Sequence, residues 1–132
     1  MTLFLAILCD LYMPLLVALS LWPLRQPQAW PRLRSGLLFL ALGFALMAID
    51  RVLGIWACWG GDYSTHTAVA AALTLHLWGV ELKRRGLLIA GLGLYLSLMK
   101  VLGYHTWADM FSTLAALAPG FWLIRRHCVS SG

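Results

Sequence analysis

Apolar residues run along this chain in long unbroken blocks, and polar residues are largely confined to the breaks between them. A helix needs about 20 apolar residues to cross the core of a bilayer. Five blocks approach that length: 3–22, 36–56, 64–82, 86–104 and 106–124. They are rich in Leu and Ala and lack the sustained alternation of a half-buried strand. Backbone groups in lipid must bond within their own segment, which also favours helices. The expected fold class is all-α, a single domain over 1–132 built as an integral membrane bundle of five transmembrane helices.

The breaks set the expected topology. Residues 23–35 (PLRQPQAWPRLRS) hold three prolines and three arginines and are expected to interrupt the helix. Residues 57–63 (ACWGGDY) form a Gly-rich loop without a basic residue, and Lys83-Arg84-Arg85-Gly86 forms a tight turn. Arg25, Arg32, Arg34, Lys83, Arg84, Arg85, Arg125 and Arg126, eight of the ten Lys and Arg residues, fall in alternate breaks or the tail. The positive-inside rule then predicts an outer N-terminus and a cytoplasmic C-terminus. The first apolar run has no basic region before it and reads as a retained helix, not a signal peptide. Pro14 and Pro119 are expected to kink the first and fifth helices. Gly43, Ala45, Gly91 and Gly93 allow close helix contact. Trp22, Trp30, Trp56, Trp59, Trp107 and Trp122 lie near helix ends, as an interfacial aromatic belt does.

Composition agrees with that pattern. Hydrophobic residues make up 61% of the chain and charged residues 11%, against about 25% charged in a soluble domain. Mean hydropathy is +0.81. The net charge of +5 sits in short clusters between apolar runs, so it reads as a topology signal and not as a nucleic-acid-binding face. Cys9, Cys58 and Cys128 have no metal-ligand spacing, and their odd number argues against a disulfide framework. A single Cys9–Cys58 bridge is the lesser alternative.

Under this topology Asp10, Asp50, Arg51, Asp62, His66, Lys100, His105 and Asp109 gather at the outer face, including four of the five carboxylates. Uncompensated charge at membrane depth is costly, so these groups are expected to face one another around a wet site. His105 and Asp109 are four residues apart and share a helix face if the fifth helix begins there. The carboxylate is expected to accept the Nδ1–H of His105, leaving Nε2 as nucleophile or base. His66 opens the third helix, with Asp62 or Ser64 as N-cap and the hydroxyls of Thr65 and Thr67 beside it. Its first-turn N–H groups and helix dipole suit an anion such as phosphate. Asp10 and Asp50 are expected to pair with Arg51, or else to bind a substrate hydroxyl. His76 is read as an interhelical hydrogen bonder, Glu81 as part of a solvated pair with the basic turn, and His127 as part of the basic tail.

Ser64-x-His66-Thr67 resembles the second motif (PSGH) of the type 2 phosphatidic acid phosphatase superfamily. His105-x-x-x-Asp109 resembles the H-x-x-x-D end of that superfamily's third motif. The stretch Gly61-Asp62-Tyr63-Ser64-Thr65-His66-Thr67 is similar to the sphingomyelin synthase branch, with a gap from Asp62 to His66 that is shorter by two residues. The resemblance covers 45–125 and implies one N-terminal helix fewer than the superfamily has. The first motif, K-x6-RP, is absent, Thr65 stands in place of a glycine, and Met99 stands where an arginine is usual, with Lys100 one place later.

The resemblance implies that His105 is the nucleophile that forms a phosphohistidine. It also implies that Asp109 orients and balances it, and that His66 is the acid that protonates the leaving oxygen. Arg51 and Lys100 are expected to supply the missing positive charge, and Ser64, Thr65, Thr67 and Asp62 to contact substrate. No metal or cofactor is implied. The expected function is hydrolysis of a lipid phosphate monoester or pyrophosphate, on a phospholipid or an isoprenoid lipid, at the outer leaflet of a bacterial inner membrane. Phosphoryl or headgroup transfer to a lipid hydroxyl is the near alternative. A zinc site built from His66, His105, Asp62 and Asp109 is a second class, and a non-catalytic lipid-binding or transport protein a third.

Overall fold

A computed structural model of the chain describes residues 2–25, 27, 29–80 and 82–130. Five long helices follow one another: α1 (Thr2–Leu21), α2 (Ala29–Leu53), α3 (Thr65–Val80), α4 (Arg85–Val101) and α5 (Trp107–Ser130). Short 3-10 turns lie at Trp22–Arg25, Ala57–Trp59 and Leu82–Arg84, and no strand occurs among the described residues. The class is all-α. Three segments are long and apolar enough to cross a membrane: Leu3–Leu21, Leu33–Leu53 and Trp107–Cys128. Helices α3 and α4 are shorter, at 16 and 17 residues.

The short helix α3 is the axis of the bundle and packs against each of the other four long helices. Its sequence explains why. Ala68, Ala70, Ala71 and Ala72 are buried at four of five consecutive positions, so the helix is packed on all sides, and their small size lets neighbours approach closely. Two apolar clusters flank it. One joins α1, α3 and α4 through Leu16, Leu73, Leu77, Leu96 and Met99, with Tyr12 and Tyr95 stacked at 4.6 Å between ring centres. The other joins α2, α3 and α5 through Phe39, Ala71, Leu117 and Phe121, with Phe39 and Phe121 edge to face at 5.2 Å. The outward faces of the surrounding helices expose Phe4, Leu11, Phe44, Leu87, Leu94, Phe111 and Leu123. That distribution suits a lipid solvent and would be costly in water.

Several boundaries differ from the sequence expectation. Helix α2 begins at Ala29, well before position 36, because Pro31 falls in its first turn, where the missing N–H costs no intrahelical bond. It ends at Leu53, before position 56, where Gly54 adopts a φ of 62°. Helix α4 ends at Val101, not 104. Gly103 at φ 74° closes it, with Tyr104 N–H donating to the Met99 carbonyl and Gly103 N–H to that of Lys100. Helix α5 continues past 124 to Ser130, so Arg125, Arg126 and His127 are helical. Pro14 and Pro119 both lie inside continuous helices.

Trp56 is buried, in contrast to the exposed belt expected. Its indole N–H donates to Ser112 Oγ at 2.8 Å, and its ring meets Tyr63 edge-on at 5.0 Å. Trp22, Trp30, Trp59, Trp107 and Trp122 are exposed. His76 is buried with its ring against Gly36 of α2, where an added Cβ would stand 2.8 Å from Nδ1. All three cysteines are free. Glu81 lies outside the described residues.

Candidate functional site

One end of the bundle brings together the C-terminus of α2, the loop 54–64, the N-terminus of α3, the turn 102–106 and the N-terminus of α5. A hollow of about 240 Å³ opens there, lined by Met47, Asp50, Arg51, Asp62, Tyr63, Thr65, His66 and His105. The rings of His66 and His105, thirty-nine positions apart in sequence, have centres separated by 6.4 Å and planes inclined by 50°. His66 is exposed toward the opening and His105 is half-buried.

Local sequence places each ring. Ser64 is the N-cap of α3: its Oγ accepts the Thr67 N–H at 3.3 Å and lies 2.7 Å from Thr67 Oγ1. This puts His66 in the first helical turn. Thr106 is the N-cap of α5. Its hydroxyl oxygen accepts the Asp109 N–H at 3.2 Å, and the Asp109 carboxylate accepts the Thr106 N–H at 2.9 Å and its O–H at 2.7 Å. The exchange is a capping box with Asp as the reciprocal partner, and it fixes His105 one residue before the cap.

The role expected of Asp109 changes as a result. Its Oδ1 accepts the backbone N–H of Asp62 at 2.8 Å and its Oδ2 is held by Thr106. The carboxylate facing His105 Nδ1 is that of Asp62, at 3.9 Å. This separation is within ion-pair reach of a ring that gains charge and too long for a hydrogen bond. Asp109 therefore holds the loop that carries Asp62, and Asp62 faces the imidazole. An i, i+4 spacing permits a contact, but the capping box occupies Oδ2 and the Asp62 N–H occupies Oδ1.

Ser64 and Thr67 are fully buried and engaged with each other, and Ser64 N–H donates to Thr113 Oγ1 at 3.1 Å. They build the helix start and offer no surface to a substrate, contrary to expectation. The Thr65 N–H is likewise bonded, to the Tyr63 carbonyl at 3.1 Å, so the first turn of α3 has fewer N–H groups free for an anion than its position suggests. Thr65 does line the hollow, as expected.

Of the two cations expected here, Arg51 lines the hollow and Lys100 does not; Lys100 is exposed at the end of α4. The His105–Asp62 contact is the one salt bridge among the described residues, so the expected Arg51 pairing with Asp10 or Asp50 is not formed. Asp50 Oδ1 instead accepts the Trp56 N–H at 2.9 Å and closes the turn after α2. Asp10 lines an adjoining hollow of about 360 Å³ with Cys9, Met13, Thr65, His66, Val69 and Tyr95. Thr65 and His66 form a shared wall between the two hollows.

Tyr63, Ser112 and Thr113 were not singled out in the sequence. The Tyr63 phenol donates to the Gly43 carbonyl at 2.8 Å and ties the loop to α2. Burial, aided by the nearby Asp50 carboxylate, pushes this phenol up to about 12, so it remains a donor. Ser112 and Thr113 lie three and four residues after Asp109 and continue its helix face, which is the signal that could have found them. Among the described residues, no group of three or more His, Cys, Asp or Glu side chains is placed to hold a metal ion. The chain matches no protein-family model, no curated protein and no solved structure.

Proposed function

We propose that this chain is a membrane-embedded phosphatase acting on a lipid phosphate monoester or pyrophosphate. The observation that carries the reading is the pair of imidazoles facing one hollow with a free arginine on its wall. Near-attack geometry places reacting atoms about 3–3.5 Å apart, so a 6.4 Å gap between ring centres has room for one phosphoryl group. His105 Nε2 attacks phosphorus, and the bond from phosphorus to the lipid oxygen breaks as His66 gives that oxygen a proton. Water then attacks the phosphohistidine, the P–N bond breaks, and His66 takes the proton from water. Asp62 balances the charge that develops on the His105 ring, and Arg51 binds the phosphoryl oxygens.

Five membrane crossings, an outer N-terminus and a cytoplasmic C-terminus complete the reading, with the hollow at the outer leaflet of a bacterial inner membrane. The basic residues Arg34, Lys83, Arg84, Arg85, Arg125 and Arg126 lie toward the opposite ends of their helices from the hollow, which supports this orientation. A reporter fused to the C-terminus should read as cytoplasmic.

Transfer to a lipid alcohol is the second reading, and the adjoining hollow beside His66 favours it by offering room for an acceptor. The test is release of phosphate from a panel of phospholipid and isoprenoid phosphates by purified protein, with and without an added lipid alcohol and with and without EDTA. Hydrolysis yields inorganic phosphate that survives EDTA, and transfer yields a new phospholipid at the expense of phosphate. Equal turnover by wild type, His105→Ala and His66→Ala would sink both readings.

A further inference from the structure

At the end of α3 away from the histidines, the bundle holds a larger cavity of about 450 Å³. Its floor is Ala71, Leu75 and Trp78 of α3, and its walls include Leu92 of α4 and Ala118 and Phe121 of α5. Helices α4 and α5 both pack on α3 but hardly touch each other, so the cavity is a groove between them. Ile89 and Trp122, on its two walls, are 55% and 59% exposed. The volume falls in the range of about 300–1,000 Å³ typical of small-molecule sites.

Apart from Thr74 on the floor, the lining is apolar except toward one end, where the cations gather. Arg125 lines the groove. The Arg85 guanidinium lies 5.1 Å from the ring centre of Trp78 and its Nε donates to the Trp78 carbonyl at 3.4 Å. The Arg126 guanidinium lies 5.4 Å from the ring centre of Trp122. Both tryptophans line the groove. Among the described residues no acidic side chain lines it. An apolar slot with three arginines at or beside one end has the polarity of a single lipid: acyl chain inside, anionic headgroup at the rim.

We propose that this groove is a binding site for an anionic membrane phospholipid, with an acyl chain between α4 and α5 and its headgroup phosphate on Arg125. The site is separate from the histidine hollow and does not depend on the chemistry proposed there. A bound chain would fill the gap that α4 and α5 leave, and so would stabilise the central helix against both.

The test uses native mass spectrometry of the full chain in a neutral detergent, with phosphatidylglycerol and phosphatidylcholine of identical acyl chains as probes. Phosphatidylglycerol should bind tighter by about fivefold for each arginine that meets its headgroup. Arg125→Gln should remove that preference, while Arg25→Gln, the same charge change away from the groove, should keep it. Ala118→Phe should block both lipids by filling the slot. Equal binding of the two lipids, an equal loss in Arg25→Gln, or undiminished binding to a folded Ala118→Phe variant would each overturn the proposal. A photoactivatable acyl-chain phosphatidylglycerol on the wild-type chain provides a readout independent of any variant's folding. Label should fall on 71–78, 85–96 and 114–126, and label confined to other segments would overturn it as well.

Discussion

The Asp109 carboxylate accepts the backbone N–H of Asp62 at 2.8 Å, and Asp62 in turn presents its own carboxylate 3.9 Å from Nδ1 of His105. Two acidic residues forty-seven positions apart thus act in series. The buried one holds the loop, and the exposed one faces the imidazole. Asp109→Ala removes the reciprocal cap of α5 and orphans the Asp62 and Thr106 N–H groups. The expected cost is about 2–4 kcal/mol of stability, read as a lower unfolding temperature in detergent. An unfolding temperature within error of wild type would contradict this bridging role.

The two imidazoles should separate kinetically. Brief incubation with a lipid substrate carrying labelled phosphate should leave acid-labile label on the wild type and on His66→Ala, and none on His105→Ala. Loss of a positioned acid costs about 10²–10⁴ in rate, so His66→Ala should turn over slowly yet still form the intermediate. Label on His105→Ala would reassign the nucleophile.

Arg51 and Lys100 should behave differently, because one lines the hollow and the other is exposed outside it. Arg51→Ala removes the charge proposed to bind the phosphoryl oxygens and should lower kcat/KM by about 10²-fold. Lys100→Ala should leave kcat/KM at the wild-type value. Equal losses in the two variants would mean that the arginine acts through general surface charge, which added salt would screen.

Tyr63 provides a test of the loop anchor at alkaline pH. Its phenol is pushed up to about 12 from 10.0, mainly by burial and then by Asp50. Below 10 both folded and unfolded chains keep the proton and the anchor contributes fully. From 10 to 12 the unfolded chain releases it while the folded chain holds it, so this contribution is lost as pH rises. Unfolding temperatures across that window should fall less steeply for Tyr63→Phe than for wild type. Parallel slopes would show that the phenol does not titrate differently on folding.

Much of the site could be read from local spacing. Ser64 and Thr106 are small hydroxyl residues just ahead of helical runs, so the helix starts beside His66 and His105 follow from capping chemistry over four residues. The partners of those groups could not be read in the same way. His105-x-x-x-Asp109 offers a contact by spacing, but Asp109 is already used by Thr106 and by a backbone N–H from a loop far away in sequence. Ser64 and Thr67 look like substrate ligands as a motif, and burial makes them internal struts. Arg51 and Lys100 looked equivalent in sequence, and the facing direction of their helices separated them.

The linear chain by itself determined that the fold is helical, roughly where the long apolar segments lie, and which end carries the polar chemistry. Those properties depend on hydrophobic runs, caps and charges counted along the backbone, and their physics acts over a few residues. The tertiary structure decided that the Ala-rich α3 is the axis. It decided that Asp62 and not Asp109 faces His105, and that Arg51 shares a hollow with both imidazoles. These are relationships between helices, set by which small side chains allow close approach and which buried N–H groups must find an acceptor, and neither is local in sequence.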